Sequence, residues 1–146
     1  MKKQRLILVL SVLAILLAAM ITDAAEIDSD IAKVATEYKL DAVLFNAIIA
    51  HESNFELSAY NHKTQDFGLT QINIKTAKAY KFDTTKLQTD KLYSLRAGAK
   101  VLHDFKLRYA KRESLTWFCR YNVGTRQYET VKKNCLKYIQ NVVRYY

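Results

Sequence analysis

No proline occurs anywhere in this chain, and only three of its 146 residues are glycine. That scarcity excludes proline-rich spacers, glycine-serine linkers and low-complexity tracts, all of which depend on those residues. No internal repeat is present. Cysteine is limited to Cys119 and Cys135, and no Cys/His cluster has the spacing of metal ligands, so neither a structural metal site nor a cofactor is expected. Acidic residues are few as well: 14 against 23 lysines and arginines, for a formal charge of +9.

What is present begins with a leader. Lys2, Lys3 and Arg5 precede an apolar run over 6–21 broken only by Ser11, and small residues follow around Ala24 and Ala25. This is the three-part plan of a secretory signal, with cleavage expected after Ala24 or Ala25. Residues 1–25 are therefore read as signal peptide and 26–146 as one exported domain of the periplasm or cell envelope. The run is 16 residues, short of the roughly 20 that span a bilayer, yet an uncleaved N-terminal anchor stays open as the protein's contact with a membrane. No cysteine stands directly after the run, which argues against a lipoprotein anchor.

Residues 1–24 carry three basic side chains and Asp23, so the remainder keeps +7. A basic exported domain can be drawn to anionic envelope polymers. The charges are dispersed, however, and a solvated basic surface explains them equally; no nucleic-acid partner is expected, and a monomer is. In an oxidising compartment Cys119 and Cys135 are expected to pair as a disulfide.

Helical periodicity dominates from Ser29 onward. Ile31, Val34, Ala35 and Tyr38 share one stripe. Asp41 can cap a second helix running to about Ser53, and residues 74–80 read as a short third. Asp90 can cap a longer helix carrying Leu92, Leu95, Leu102 and Phe105 to about Lys111. Ser114 is read as opening another through Trp117 to Asn122, stopped by Gly124. The last, from about Tyr128, puts Val131, Cys135, Tyr138, Ile139 and Val142 on one face and lysines on the other. Only 55–73 reads as irregular or weakly β. The expected fold is one mainly α domain with an irregular loop region. Gly98, mid-helix, costs about 1 kcal/mol relative to alanine, which suggests that something approaches closely there.

Glu52 poses the chemical question. It lies one turn beyond Ile48 and Ile49 and two beyond Phe45, so it continues an apolar stripe rather than facing outward. It also sits in the last turn of its helix, where the backbone dipole disfavours an anion. Desolvation and dipole both raise the pKa of such a carboxyl group. An acid still protonated near neutrality is what glycosidic bond cleavage requires. A buried glutamate that merely binds loop backbone fits the same observations, and the residues alone leave both readings open.

"HESNF", "GLTQIN", "RAGAKVL" and "RYNVG" resemble, in order, the four signatures of the soluble lytic transglycosylase family. The resemblance covers roughly residues 30–130 and is strongest to the small single-domain members associated with secretion, conjugation and pilus machines, in which "DFGLTQIN" has its counterpart. It implies a lysozyme-like fold, α+β in the sense of that superfamily, and cleavage of peptidoglycan glycan strands. It implies that Glu52 is the catalytic acid and base, that Ser53 holds local structure, and that Gln71 lines the sugar cleft. Tyr121 and Asn122 correspond to the Tyr-Asn pair, with the Tyr121 hydroxyl near Glu52, and Asn61 to a small polar residue facing the sugar. Thr70 stands where methionine is usual, implying an altered cleft surface. Arg120 and Val123 replace small alanines, implying a different cleft shape.

The mechanism that the resemblance implies uses one carboxyl group and leaves a 1,6-anhydromuramoyl end. Asp66 opens an alternative, because "QDFGLTQIN" also resembles the lysozyme strand that carries a second catalytic aspartate; a muramidase or phage endolysin would then hydrolyse the same bond. A non-catalytic peptidoglycan-binding assembly protein is the third reading. His51 and His62 lack the His-Glu-x-x-His spacing of a zinc protease. Trp117 and Phe118 are expected to pack in the core.

Overall fold

A computed structural model describes residues 29–125 and 128–145. Residues 1–28, and with them the signal-peptide reading, lie outside the described residues, as does the side chain of Val131. No helix among the described residues is long and apolar enough to cross a membrane.

The chain opens with α1 (29–37), which buries Ile31, Val34 and Ala35. Asp41 then accepts a 2.8 Å hydrogen bond from the Leu44 amide and caps α2 (Ala42–Ser53), which ends where Asn54 turns left-handed at φ 51°. Three two-residue strands follow, β1 (Tyr60–Asn61), β2 (Asp66–Phe67) and β3 (Ile72–Asn73). They form one antiparallel sheet in which Asn61 faces Asp66 and Asp66 faces Asn73. The weakly β expectation for 55–73 takes this form.

Asn73 caps α3 (Ile74–Tyr80), and Asp83 caps α4 (Thr84–Thr89) through the amides of Thr85 and Lys86. Helix α4 is absent from the sequence expectation; six residues are too few for a 3.6-residue period to show. Asp90 receives the Tyr93 amide at 3.0 Å at the start of α5 (Lys91–Glu113). A second difference follows: in place of a continuous helix from Ser114 there is a 3₁₀ segment (Ser114–Cys119) and then a single α turn, α6 (Arg120–Val123). Trp117, Phe118, Cys119 and Arg120 are all buried in succession, so this stretch is enclosed on every side rather than along one stripe. Helix α7 (Tyr128–Val143) closes the domain.

Helix α5 is the spine. Leu95, Ala99 and Leu102 face the main core with Phe45, Ile48, Ile49, Trp117 and Val142. Ala97 and Val101 face a smaller core under the sheet with Ile72, Ala77 and Leu87. Burial of apolar area at about 25 cal/mol per Å² makes these two faces the main source of stability. Between them lies Gly98. A Cβ there would stand 2.4 Å from Cγ2 of Thr70, so the loop backbone can reach the helix only because the side chain is absent. Gly68 is constrained in the same way: at φ +72°, its Cβ would come 1.9 Å from the Leu87 carbonyl oxygen.

Thr70 corrects an expectation. It does not shape the cleft surface; it is fully buried against Gly98, and its hydroxyl reaches the Ser94 carbonyl at 3.4 Å. Arg120 corrects another. Its guanidinium turns into the core, donates to both oxygens of Glu113, and lies 4.5 Å from the Tyr109 ring centroid. The position that alanine would leave small is filled by an internal ion pair, not by a bulge into the cleft.

Cys119 and Cys135 form the expected disulfide, with Cα atoms 5.1 Å apart and 16 positions apart in sequence. A loop of that length corresponds to about 3 kcal/mol in the chain-entropy account. The bridge ties the 3₁₀ segment to α7.

Candidate active site

Glu52 is delivered by the last turn of α2, two positions beyond the end of the buried run Ala47–Ala50. Its surroundings push its pKa up to about 7, chiefly because burial penalises the carboxylate. The Tyr138 hydroxyl, donating to Oε1 at 2.8 Å, works against that shift, and the negative charge of Asp66 adds to it. Tyr138 is itself deeply buried, and its hydroxyl is held well above its ordinary value by burial and then by Glu52. Sequence reasoning placed Tyr138 on the core face of α7 and missed this contact. The available signal was a phenol within an otherwise aliphatic stripe, since a buried tyrosine hydroxyl usually finds a partner.

Two cavities meet at Glu52. One, of about 790 Å³, is lined by Glu52, Ser53, Tyr60, Asn61, Gln71 and Tyr145 among others. The other, of about 600 Å³, is lined by Glu52, Asp66, Gln71, Phe105, Tyr121 and Asn122 among others. Glu52 and Gln71 belong to both, so an extended ligand lying through the groove would pass the carboxyl group at its middle.

The remaining candidates divide into those that hold the groove and those that border it. The Ser53 hydroxyl donates to the Leu69 carbonyl at 2.7 Å and pins the end of α2 to the loop. The Gln71 side chain donates to the Gly68 and Ala59 carbonyls at 3.0 and 3.3 Å, from a residue in the left-handed region at φ 47°. Tyr121 donates to the Thr70 carbonyl at 2.8 Å, so the phenol bonded to Glu52 is that of Tyr138 and not that of Tyr121. Burial and then the Glu52 charge nevertheless raise Tyr121, which places it in the electrostatic reach of the acid. Asn61 uses its side-chain oxygen to accept from the amides of Lys63 and Thr64, shaping the hairpin at the rim of the larger cavity. Asn122 is exposed at the edge of the smaller one.

Asp66 borders the same cavity as Glu52, but its two oxygens are engaged within the sheet. One accepts from the Asn73 side-chain Nδ2 at 2.8 Å and the other from the Thr64 hydroxyl. His51 packs edge-on against Tyr138, with ring centroids 5.3 Å apart, and burial holds it below its ordinary value. His62 stands edge-on to Tyr60 at 4.5 Å. Trp117 and Phe118 are core residues. The chemistry available to this arrangement is that of a single, partly enclosed carboxylic acid, protonated near neutrality, facing a groove rich in amides and hydroxyls.

A family model described as Transglycosylase SLT domain matches residues 29–141, more than half of the chain. No curated protein matches. Among solved structures, the chain is similar to an inactive mutant of the lytic transglycosylase Slt from Pseudomonas aeruginosa, with a TM-score of 0.63 at 20% identity. That match covers 80% of this chain and 22% of the Pseudomonas protein, so the chain spans only part of that longer relative. At this identity the likeness is one of fold.

Proposed function

The chain belongs to the transglycosylase SLT domain family, and from that membership we propose that it is a peptidoglycan lytic transglycosylase with Glu52 as its one catalytic carboxyl group. The observation that carries the reading is the state of Glu52, an acid titrating at about 7 where two cavities join. The Pseudomonas protein is described as inactive after a glutamate-to-glutamine exchange, which is the behaviour expected here of Glu52→Gln.

The reaction proceeds with one proton in circulation. Glu52 gives its proton to the oxygen bridging N-acetylmuramic acid and N-acetylglucosamine, and the C1–O bond breaks, releasing a 4-hydroxyl. The carbonyl oxygen of the muramoyl acetamido group closes on C1 and takes the place of a second carboxylate. Glu52, now an anion supported by the Tyr138 hydroxyl, removes the proton of the 6-hydroxyl. That oxygen bonds to C1 as the acetamido oxygen leaves. The product is a 1,6-anhydromuramoyl end, Glu52 is again protonated, and no water is consumed. Gln71, Tyr121, Asn122 and Asn61 hold the strand along the groove, while Ser53 keeps α2 in place.

Hydrolysis assisted by Asp66 is disfavoured by its engagement with Thr64 and Asn73, which makes it a brace of the hairpin rather than a free nucleophile. Digestion of purified sacculi followed by mass spectrometry separates the outcomes. Anhydro muropeptides, one water lighter than hydrolysed ends, are expected; reducing ends would replace this reading with a muramidase, and no release with a binding protein.

The resemblance to members serving envelope machines further supports local wall opening during assembly of a secretion, conjugation or pilus apparatus, with residues 1–25 directing export. Fractionation of cells making the full chain is expected to place it in the envelope or periplasm, and retention in the cytoplasm would sink that part.

A further inference from the structure

The positive charge of this chain is scattered along the sequence but not evenly divided. Residues 105–146 hold ten of the 23 lysines and arginines and only two of the 14 acids, Glu113 and Glu129, and so carry +8 of the formal +9. Glu113 is spent inside the fold on Arg120. Glu129 is the one acid on α7.

Helix α7 has two faces. Cys135, Tyr138 and Val142 are buried on one. On the other, Lys132, Lys133 and Lys137, with Arg144 just beyond the last turn, are exposed at helical spacing. Among the described residues none of these four is in an ion pair, whereas Lys91, Arg96 and Lys100 on α5 are paired with Asp30, Glu37 and Asp104. Leu136 and Val143 stand among the cations, two turns apart, and are 45% and 57% exposed. From 132 to 144 the face is about 18 Å long at 1.5 Å per residue, enough to lie across several lipid headgroups.

We propose that this outer face of α7 docks the protein on a bilayer of anionic phospholipid, with the four cations on headgroup phosphates and Leu136 and Val143 entering the boundary with the acyl chains. Charge complementarity calls for a polyanion, and the two aliphatic groups choose among polyanions. They gain free energy by leaving water at an acyl boundary and gain none against the hydrated phosphates of a nucleic acid. Docking of this kind does not depend on what the groove cuts. It fixes where the groove works, because the opposite side of the same helix presents Tyr138 and, through its hydrogen bond, Glu52. A docked α7 holds the acid about one helix diameter, some 10 Å, from the headgroups and confines its reach to polymer lying next to the membrane.

An indole placed on the face reports docking at that face alone. Trp117 is the single native tryptophan and is buried, so Leu136→Trp adds an exposed indole on α7, and Ala79→Trp adds one on α3 as a control. The full chain is mixed with vesicles of phosphatidylglycerol or of phosphatidylcholine. With phosphatidylglycerol only, the Leu136→Trp emission is expected to move to the blue and to be quenched by brominated acyl chains, while the Ala79→Trp emission stays as in buffer. Lys132→Gln with Lys133→Gln should weaken binding to phosphatidylglycerol about 30-fold, at about 1 kcal/mol per charge. Lys78→Gln with Lys81→Gln, the same change of charge on α3, should weaken it less than about threefold. Leu136→Gln should weaken it about fivefold, the worth of a half-exposed leucine, and leave binding to duplex DNA unchanged. Residues 1–25 are the same in every variant, so any lipid contact of their own cancels in these comparisons. An unquenched Leu136→Trp, an equal response to phosphatidylcholine, or equal losses from the two lysine pairs would overturn the proposal. So would undiminished vesicle binding by Leu136→Gln, which would make the face a general polyanion surface.

Discussion

Glu52→Gln is expected to lower strand cleavage by roughly 10²–10⁴-fold, the usual worth of a positioned general acid and base, and at the same time to make the fold more stable in alkaline buffer. The second effect follows from linkage. The unfolded glutamate titrates at 4.5 and the folded one at about 7. Between those values the folded state keeps a proton that the unfolded state has lost, so stability falls as pH rises through that window and stays reduced above it. The shift corresponds to a penalty on the order of 3 kcal/mol. Glutamine does not titrate and can still accept the Tyr138 hydrogen bond, so the variant escapes the penalty. Denaturant unfolding at pH 4 should find the two proteins nearly equal, and at pH 8.5 the variant ahead. A difference that does not change with pH would show that the carboxyl group is not held in its acid form by its surroundings. Activity of the unmodified protein should decline above about pH 7 for the same reason, as the proton donor is lost.

Glu113→Ala is expected to cost about 3–5 kcal/mol, far more than an exposed ion pair would. The Arg120 and Glu113 side chains are only 4% and 13% exposed, and the guanidinium donates to both carboxylate oxygens. Removing the acid takes the facing carboxylate away from a buried cation that also contacts the Gly124 carbonyl at 3.3 Å and the Tyr109 ring. Because Arg120 immediately precedes Tyr121 and Asn122, the loss should also loosen the groove wall and raise the apparent KM for strands. Thermal unfolding measures the first effect. Adding Arg120→Met to Glu113→Ala should recover much of the lost stability, since the buried cation is then removed together with its acid. A cost below about 1 kcal/mol for Glu113→Ala would mean that the pair behaves as a surface contact.

The parts of this molecule legible beforehand are those governed by short-range rules. Asp41 and Asp90 announce helix starts through their capping oxygens, and the stripe from Phe45 to Ile49 leads to Glu52 whatever surrounds it. The oddity of a glycine at 98 was visible, but not the identity of Thr70 as the group that needs the space. Contacts across long sequence distances were beyond reach: Tyr138 lies 86 positions from the glutamate that it bonds. Helix α4 was missed because it is shorter than two turns. The 3₁₀ segment was missed because burial on all sides erases the periodicity on which helix assignment relies. Arg120 read as changing the shape of the cleft because no local pattern reveals that its partner is an acid seven residues earlier.

The disulfide has a practical corollary. Cys119 precedes Tyr121 by two residues and Cys135 precedes Tyr138 by three, so the bridge joins the segment carrying Tyr121, which bonds the Thr70 carbonyl, to the helix carrying Tyr138, which bonds Glu52. Material made in a reducing host, or stored with thiol reagents, would carry both phenols on chains no longer tied together. Assays on such preparations would then report a loosened relative of the native catalyst, and the redox history of a sample belongs beside every rate measured on it.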